Sequence, residues 1–487
     1  MSVQELEAIL HPRSVAVVGA SANTSSWGYS FTHHLLEYGF KGQVYPVNPG
    51  YQDVLGFKCY PSVRAVPGTI DFVISCVNAS QVPQMIVECG EKAVKGIHLY
   101  TARFSETGRK DAADLEQDVL RLARSRNIRL IGPNCMGVYH PKAGLSFGYN
   151  LPKDSGKVGM ASQTGGGASG FVHLASLRGV RFSKVISYGN ALDFNECDYL
   201  DYFIQDTETQ VIVLYVEGVK DGRRFLETLK HATAIKPVIV IKGGRGTSGA
   251  RMTTSHTASI AGSYNVWDAA VKQAGAVPAK DFEELIDLTV SFYYLPPVRG
   301  NRVGVLGGGG GPSVIAAESC EEAGLDVIPL PPDMRQEMKA RGVTIWDWIS
   351  NPVDVSIIGG SGMTDIDMLH LMAKHPDFDL LIGNFNEWVM VTLSTDDRFS
   401  ASMKSQPKNY ITIKERYGKP FLVVMGERGV AAGPYTSVPA ADDWHWKALA
   451  EARGELMTAG LPLYPTVERS ARAARKVFEY YQVRDRL

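Results

Sequence analysis

Val15-Ala16-Val17-Val18-Gly19-Ala20-Ser21 is a short apolar run that breaks into a glycine turn. The same order of parts returns at Gly156-Lys157-Val158-Gly159-Met160-Ala161-Ser162, which runs into Gln163-Thr164-Gly165-Gly166-Gly167. It returns again at Arg302-Val303-Gly304-Val305-Leu306, followed by five glycines from Gly307 to Gly311. Each turn precedes a helical pattern, and strand, glycine turn and helix in that order open a parallel α/β unit. Further strand-like runs lie at Gln43 to Val47, Asp71 to Val77, Gly96 to Tyr100, Val211 to Val216 and Pro237 to Ile241. A helical stretch from Asp281 to Tyr294 stops at Pro296-Pro297, a natural linker. The pattern predicts an α/β chain of three doubly wound domains over residues 1–150, 151–297 and 298–487.

Composition narrows the class. The 487 residues are 45% hydrophobic and 21% charged, with a formal net charge of −1. A chain so balanced has no bulk electrostatic pull on nucleic acid or an anionic membrane, and any anion must be bound locally. The start, Met1-Ser2-Val3-Gln4-Glu5-Leu6-Glu7, is neither a basic nor an apolar leader, and no apolar run reaches a spanning length of about 18 residues. The expectation is a cytoplasmic protein with no nucleic-acid or membrane partner. Six scattered cysteines with no CxxC pair predict neither disulfides nor zinc, and no metal site is expected.

A glycine turn between strand and helix presents unpaired N–H groups at the positive end of the helix dipole, so it can hold phosphate without a charged side chain. Close packing of strand on helix is the other use of such glycines. The first turn is not a dinucleotide fingerprint. It reads Gly19-Ala20-Ser21-Ala22-Asn23-Thr24-Ser25-Ser26-Trp27-Gly28, without G-x-G-x-x-G, and Val47-Asn48-Pro49 stands where a ribose-binding acid belongs. NAD is disfavoured, while a phosphate-bearing adenosine derivative is allowed.

His256 lies in Ser255-His256-Thr257-Ala258-Ser259-Ile260-Ala261-Gly262-Ser263, among residues too small to shield an imidazole and rich in donors for an anion carried on the ring. The simplest such cargo is a phosphoryl group. The turn at Thr164-Gly165-Gly166 shares its predicted domain and would receive that charge. A nucleophilic histidine needs an acceptor to fix its tautomer, and Glu217, at the end of the run Val211 to Val216, is the candidate. A solvated strand-end glutamate is the plainer alternative.

Several motifs in order resemble the alpha subunit of the NDP-forming acyl-CoA synthetases, the superfamily of succinyl-CoA synthetase and ADP-forming acetyl-CoA synthetase. In the first domain they are Val17-Val18-Gly19-Ala20-Ser21, Tyr45-Pro46-Val47-Asn48-Pro49 and Gly132-Pro133-Asn134-Cys135-Met136-Gly137. The second holds Ser162-Gln163-Thr164-Gly165, Ser187-Tyr188-Gly189-Asn190, Glu217-Gly218-Val219-Lys220-Asp221-Gly222 and the His256 run, and the third Gly310-Gly311-Pro312 and Asn351-Pro352-Val353-Asp354.

The resemblance implies a Rossmann-like CoA-binding domain followed by two flavodoxin-like domains of the succinyl-CoA-synthetase type. It implies that His256 is phosphorylated, that Glu217 orients it, and that Thr164, Gly165 and Gly166 cradle phosphate. CoA would lie along Gly19, Ala20, Ser21, Asn48, Thr101 and Ala102, with Asn134 at the junction with the histidine. Many relatives carry a lysine where this chain has Gly50, and Arg103, in Thr101-Ala102-Arg103-Phe104, is expected to supply that charge. Trp27 and Tyr188 are bulkier than is usual there, which suits either an acyl pocket for a larger acid or plain core packing.

The implied reaction joins a small carboxylic acid to CoA with ATP, giving ADP and phosphate, through an acyl phosphate and the phosphohistidine. The motifs leave no stretch for the family's ATP-grasp portion. A separate ATP-grasp beta subunit, bringing ATP or ADP with Mg2+, is therefore expected, in an assembly of two alpha and two beta subunits. Two other readings use the same scaffold: a regulatory protein that binds CoA or nucleotide without catalysis, and a carbamoyl or acyl transferase. The joint presence of His256 and Glu217 argues against the first, and the intact His256 motif, which the transferases on this scaffold tend to lack, against the second.

Overall fold

The structure, a computed structural model, describes residues 2–246, 248–249, 264–385, 387, 395–425 and 443–485. The chain forms two compact units, 1–285 and 286–487.

The first unit holds two sheets. Five parallel strands, β1 (Ser14–Val18), β2 (Gln43–Val47), β5 (Phe72–Ser75), β6 (Gly96–Leu99) and β7 (Arg129–Ile131), form the first in the order β2-β1-β5-β6-β7. A small hairpin of β3 (Asp53–Val54) and β4 (Phe57–Lys58) lies outside it. Every residue of β1, β5 and β6 is buried, as a parallel sheet covered on both faces requires. Its helices are α1 (Ser2–Leu10), α2 (Trp27–Glu37), α3 (Val82–Glu91) and α4 (Lys110–Arg124). Gly28, in the first turn of α2, shows what one glycine is for: a Cβ there would stand 1.9 Å from the Gly19 carbonyl oxygen. Strand turn and helix therefore meet at backbone distance.

The second sheet begins with β8 (Gly137–Tyr139), which runs antiparallel to β10 (Phe182–Ser187) at the edge. With β9 (Val158–Ser162), β11 (Val211–Val216), β12 (Val238–Lys242) and β13 (Val277–Ala279) the order is β13-β12-β11-β9-β10-β8. Helices α5 (Gly165–Ser176), α6 (Glu196–Gln205) and α7 (Gly222–Ile235) follow β9, β10 and β11. Each is started by a side-chain cap or capping box, at Thr164, Asn195 and Asp221.

The second unit is built on one parallel sheet, β15-β14-β16-β17-β18, from β14 (Val303–Gly308), β15 (Val353–Asp354), β16 (Leu380–Asn384), β17 (Phe421–Val424) and β18 (Leu463–Tyr464). Its core gathers Leu306, Leu381, Phe421 and Val423 with Met368, Met372 and Tyr410. Counting the parallel strands of each sheet in chain order, all three follow 2-1-3-4-5. That order places a crevice between the carboxyl ends of the first and third strands, where doubly wound sheets hold ligands. Among the described residues no helix is long and apolar enough to cross a membrane, and the cysteines are free.

Candidate functional site

Both sheets of the first unit carry candidate site residues at their carboxyl ends. In the first, Gly19 leaves β1 at φ +89 and donates to the Val47 carbonyl at 2.9 Å. The Asn48 amide donates to the Ala20 carbonyl at 2.8 Å and accepts from Gly50 N–H at 2.9 Å, while the Ser21 hydroxyl lies 3.3 Å from that of Tyr51. Gly19, Ala20, Ser21 and Asn48 are thus brought together by adjacent strands. Thr101, Ala102 and Arg103 follow β6 and line a cavity of about 730 Å3. The two groups meet through Cys76, which lines that cavity and whose backbone lies 3.0 Å from where a Gly19 Cβ would stand.

The cavity is closed on one side by Val77, Asn78, Ala79 and Ser80, and on another by Thr107 and Arg109. Its volume is that of a pocket for a small cofactor or nucleotide. The donors Asn78, Ser80, Thr107, Arg103 and Arg109 suit a phosphate-bearing ligand. Burial pushes the Tyr100 phenol and the Cys76 thiol each up to about 12, so neither ionises near neutrality. Trp27 lies 4.8 Å from Tyr100 ring to ring and is 42% exposed, so it extends the aromatic wall. Tyr188 does not line that cavity: its ring is fully buried against Tyr199, 5.0 Å away, which is core packing. Residues 77–80 and Arg109 were not legible in the sequence as site residues. Their signal is a strand end followed by a capping box at Asn78, a helix start without glycines.

Arg103 sits at φ +78, and its N–H donates to the Glu106 carboxylate. Glu106 in turn accepts from the Asn190 amide at 2.8 Å, which also donates to buried Glu116 at 2.9 Å. Burial holds the Glu116 carboxyl above its ordinary value. Asn134 completes the bridge. Its N–H donates to the Thr101 carbonyl at 3.0 Å, and its side chain lies 3.4 Å from that of Asn190. Met136, two residues on, donates to the Ser187 hydroxyl at 3.1 Å, and its side chain lies against Gly165. The cavity rim is therefore continuous with the second sheet.

In that sheet the crevice lies between β9 and β11. Thr164 caps α5 and accepts from Gly167 N–H at 3.3 Å, while Ser162 shapes the turn by donating to the Thr164 carbonyl at 2.8 Å. Nothing stands within 4 Å of where a Gly166 Cβ would be, so the turn is open on that side. Glu217 follows β11 and is 9% exposed. Gln163, unnoticed in the sequence, joins the two: its side-chain oxygen accepts from Glu217 N–H and, at 3.1 Å, from Gly218 N–H. His256 lies outside the described residues. Among those described, no group of three or more His, Cys, Asp or Glu side chains could hold a metal ion.

Known proteins share this arrangement of domains. The CoA binding domain family matches residues 13–141, and the succinyl-CoA ligase like flavodoxin domain matches residues 155–292. The acetate–CoA ligase [ADP-forming] II subunit alpha of Pyrococcus furiosus is 37% identical over 378 residues, which are 78% of this chain and 82% of that protein. The chain belongs to the ADP-forming acyl-CoA ligases. Within that family, an acetate–CoA ligase [ADP-forming] of Methanocaldococcus jannaschii is 38% identical over 72% of this chain but only 49% of its own length. An acetyl-coenzyme A synthetase of Ca. Korarchaeum cryptofilum, solved with phosphate and ADP, matches with a TM-score of 0.79 and 31% identity over 100% of this chain and 98% of that one.

Proposed function

We propose that the chain is the alpha subunit of an acid–thiol ligase that interconverts a small carboxylic acid, CoA and ATP with acyl-CoA, ADP and phosphate. The carboxyl edge of the first sheet, from Gly19, Ala20, Ser21 and Asn48 to Thr101, Ala102 and Arg103, holds CoA. Phosphate attacks the thioester of acyl-CoA, releasing the thiol and leaving an acyl phosphate. His256 takes the phosphoryl group and releases the acid, then delivers the group to ADP; the synthetic direction reverses each step. Thr164, Gly165 and Gly166 neutralise the travelling charge with backbone N–H groups, and Glu217 accepts from the imidazole nitrogen that does not attack.

The observation that carries this reading is the Gln163 link, which ties the anion-ready turn to the main chain at Glu217 and Gly218 in one crevice. Nucleotide and Mg2+ are the province of an ATP-grasp beta subunit. The Pyrococcus relative is itself named a subunit, and the Methanocaldococcus relative is about twice the length this chain covers. The assembly is read as two alpha and two beta subunits in the cytoplasm.

Incubating the chain and its ATP-grasp partner with [γ-32P]ATP tests the proposal. Wild-type chain takes up an acid-labile, base-stable label, and His256→Ala takes none. A His256→Ala chain that is still labelled, or a complex still turning over with it, overturns the reading.

A further inference from the structure

Glu217 is held from three sides. Its backbone N–H donates to Gln163 on the β9 turn, and its carbonyl accepts from the ammonium of Lys242 on β12, which also reaches the Gly243 carbonyl at 2.6 Å. Lys242 is 8% exposed, so this is an interior anchor. These contacts fix the main chain, while the carboxylate plane turns on χ3, a torsion that in glutamate has no sharp staggered wells of its own. Tyr215, two residues earlier on β11, restrains that torsion: its hydroxyl donates to Glu217 Oε1 at 3.3 Å. The Tyr215 ring is itself stacked on Phe282, with centroids 5.8 Å apart and planes 23° from parallel. Gly243 leaves room for the pair, because a Cβ there would stand 2.5 Å from the Tyr215 hydroxyl and 3.1 Å from Glu217 Cγ.

Resting on the role given to Glu217 above, we propose that Tyr215 is a positioning residue for phosphoryl transfer: its phenol fixes the plane in which the carboxylate accepts from the carrier imidazole. Burial, and the Glu217 charge beside it, hold the phenol above its ordinary value, so it remains a donor throughout the neutral range. The hydroxyl touches no reacting atom. Its effect reaches the reaction only through Glu217.

Tyr215→Phe keeps the ring and deletes the donor, so the fold is preserved while the restraint is lost. In the full chain with its ATP-grasp partner and [γ-32P]ATP, the rate of phosphohistidine formation falls about tenfold, the worth of one hydrogen bond to a charged group. CoA affinity and Tm stay at wild-type values. In a Glu217→Gln background the same substitution slows labelling less than about twofold, because the two act as one unit. Labelling of Tyr215→Phe at the wild-type rate overturns the inference. So does an equal slowing in the Glu217→Gln background, which would mean a purely structural role. Both outcomes leave the carrier reading standing, whereas a wild-type chain that takes up no acid-labile label overturns the two together.

Discussion

The second and third sheets share one strand order among their parallel strands, and each turns from its first strand through glycines into a helix, yet the polar side chain at the carboxyl end of the third strand differs. In the second sheet a carboxylate, Glu217, follows β11 and is tied to the turn through Gln163. In the third an amide, Asn384, ends β16 and donates to the Gly307 carbonyl at 2.7 Å. The turns differ too, since Thr164 caps its helix with a side chain whereas Gly309 caps with none. Topology thus supplies a crevice twice, and the side chains at the strand ends give each a different character: a carboxylate in one, a neutral amide in the other. The Asn384 amide nitrogen is spent on the Gly307 carbonyl, so the third sheet uses its strand end to close its own turn, and an amide in any case carries no charge with which to hold an imidazolium.

Making the second sheet like the third is the most damaging change. Glu217→Gln is expected to slow phosphohistidine formation about 100-fold, the loss of a charged acceptor, while CoA affinity measured by calorimetry stays unchanged. Wild-type labelling kinetics would erase the distinction between the two crevices. The reciprocal change, Asn384→Asp, sets a carboxylate against the Gly307 carbonyl in a site 3% exposed. It is expected to cost about 2 kcal/mol in urea unfolding.

The smallest effect tests β10, next to the edge strand of the second sheet, where Lys184, 1% exposed, binds Asp206 at 3.0 Å and Glu208 at 2.8 Å. Burial pushes the Glu208 carboxyl up, but bonds from Lys142 and Lys184 outweigh it and hold the group at about 2. Its folded value lies below its unfolded one, so it stabilises above the ordinary carboxylate range, and this is lost as pH falls toward 2. After allowance for solvent screening, Glu208→Gln is expected to cost about 1 kcal/mol at pH 7. The deficit should close toward pH 2, with labelling at neutral pH unaffected. A deficit of equal size at both pH values would refute the electrostatic account.

The fold was legible wherever the signal was local. The runs at Val15, Val158 and Val303 are β1, β9 and β14, and the helices expected after their turns begin at Trp27, Gly165 and Gly310. Glu217 was singled out as an acid at the end of Val211–Val216, a run that forms β11, and it proves 9% exposed rather than solvated. Asn190 was not, because its partners Glu106 and Glu116 lie 84 and 74 residues away and no periodicity carries that pairing. The cavity residues at 77–80 escaped because their turn contains no glycine. For Tyr188 the sequence left an acyl pocket and core packing both open, and only the third dimension chooses packing, with the ring buried against Tyr199.

The short antiparallel strand Gly137–Tyr139 has a practical consequence. It belongs by chain order to the CoA-binding half, yet it covers the flank of Phe182–Ser187. Severing the protein behind it would strip the border from a neighbouring β-layer and leave a row of amides and carbonyls seeking a foreign strand. Fragments meant to isolate the histidine-bearing half should therefore carry the hem along, or they will clump.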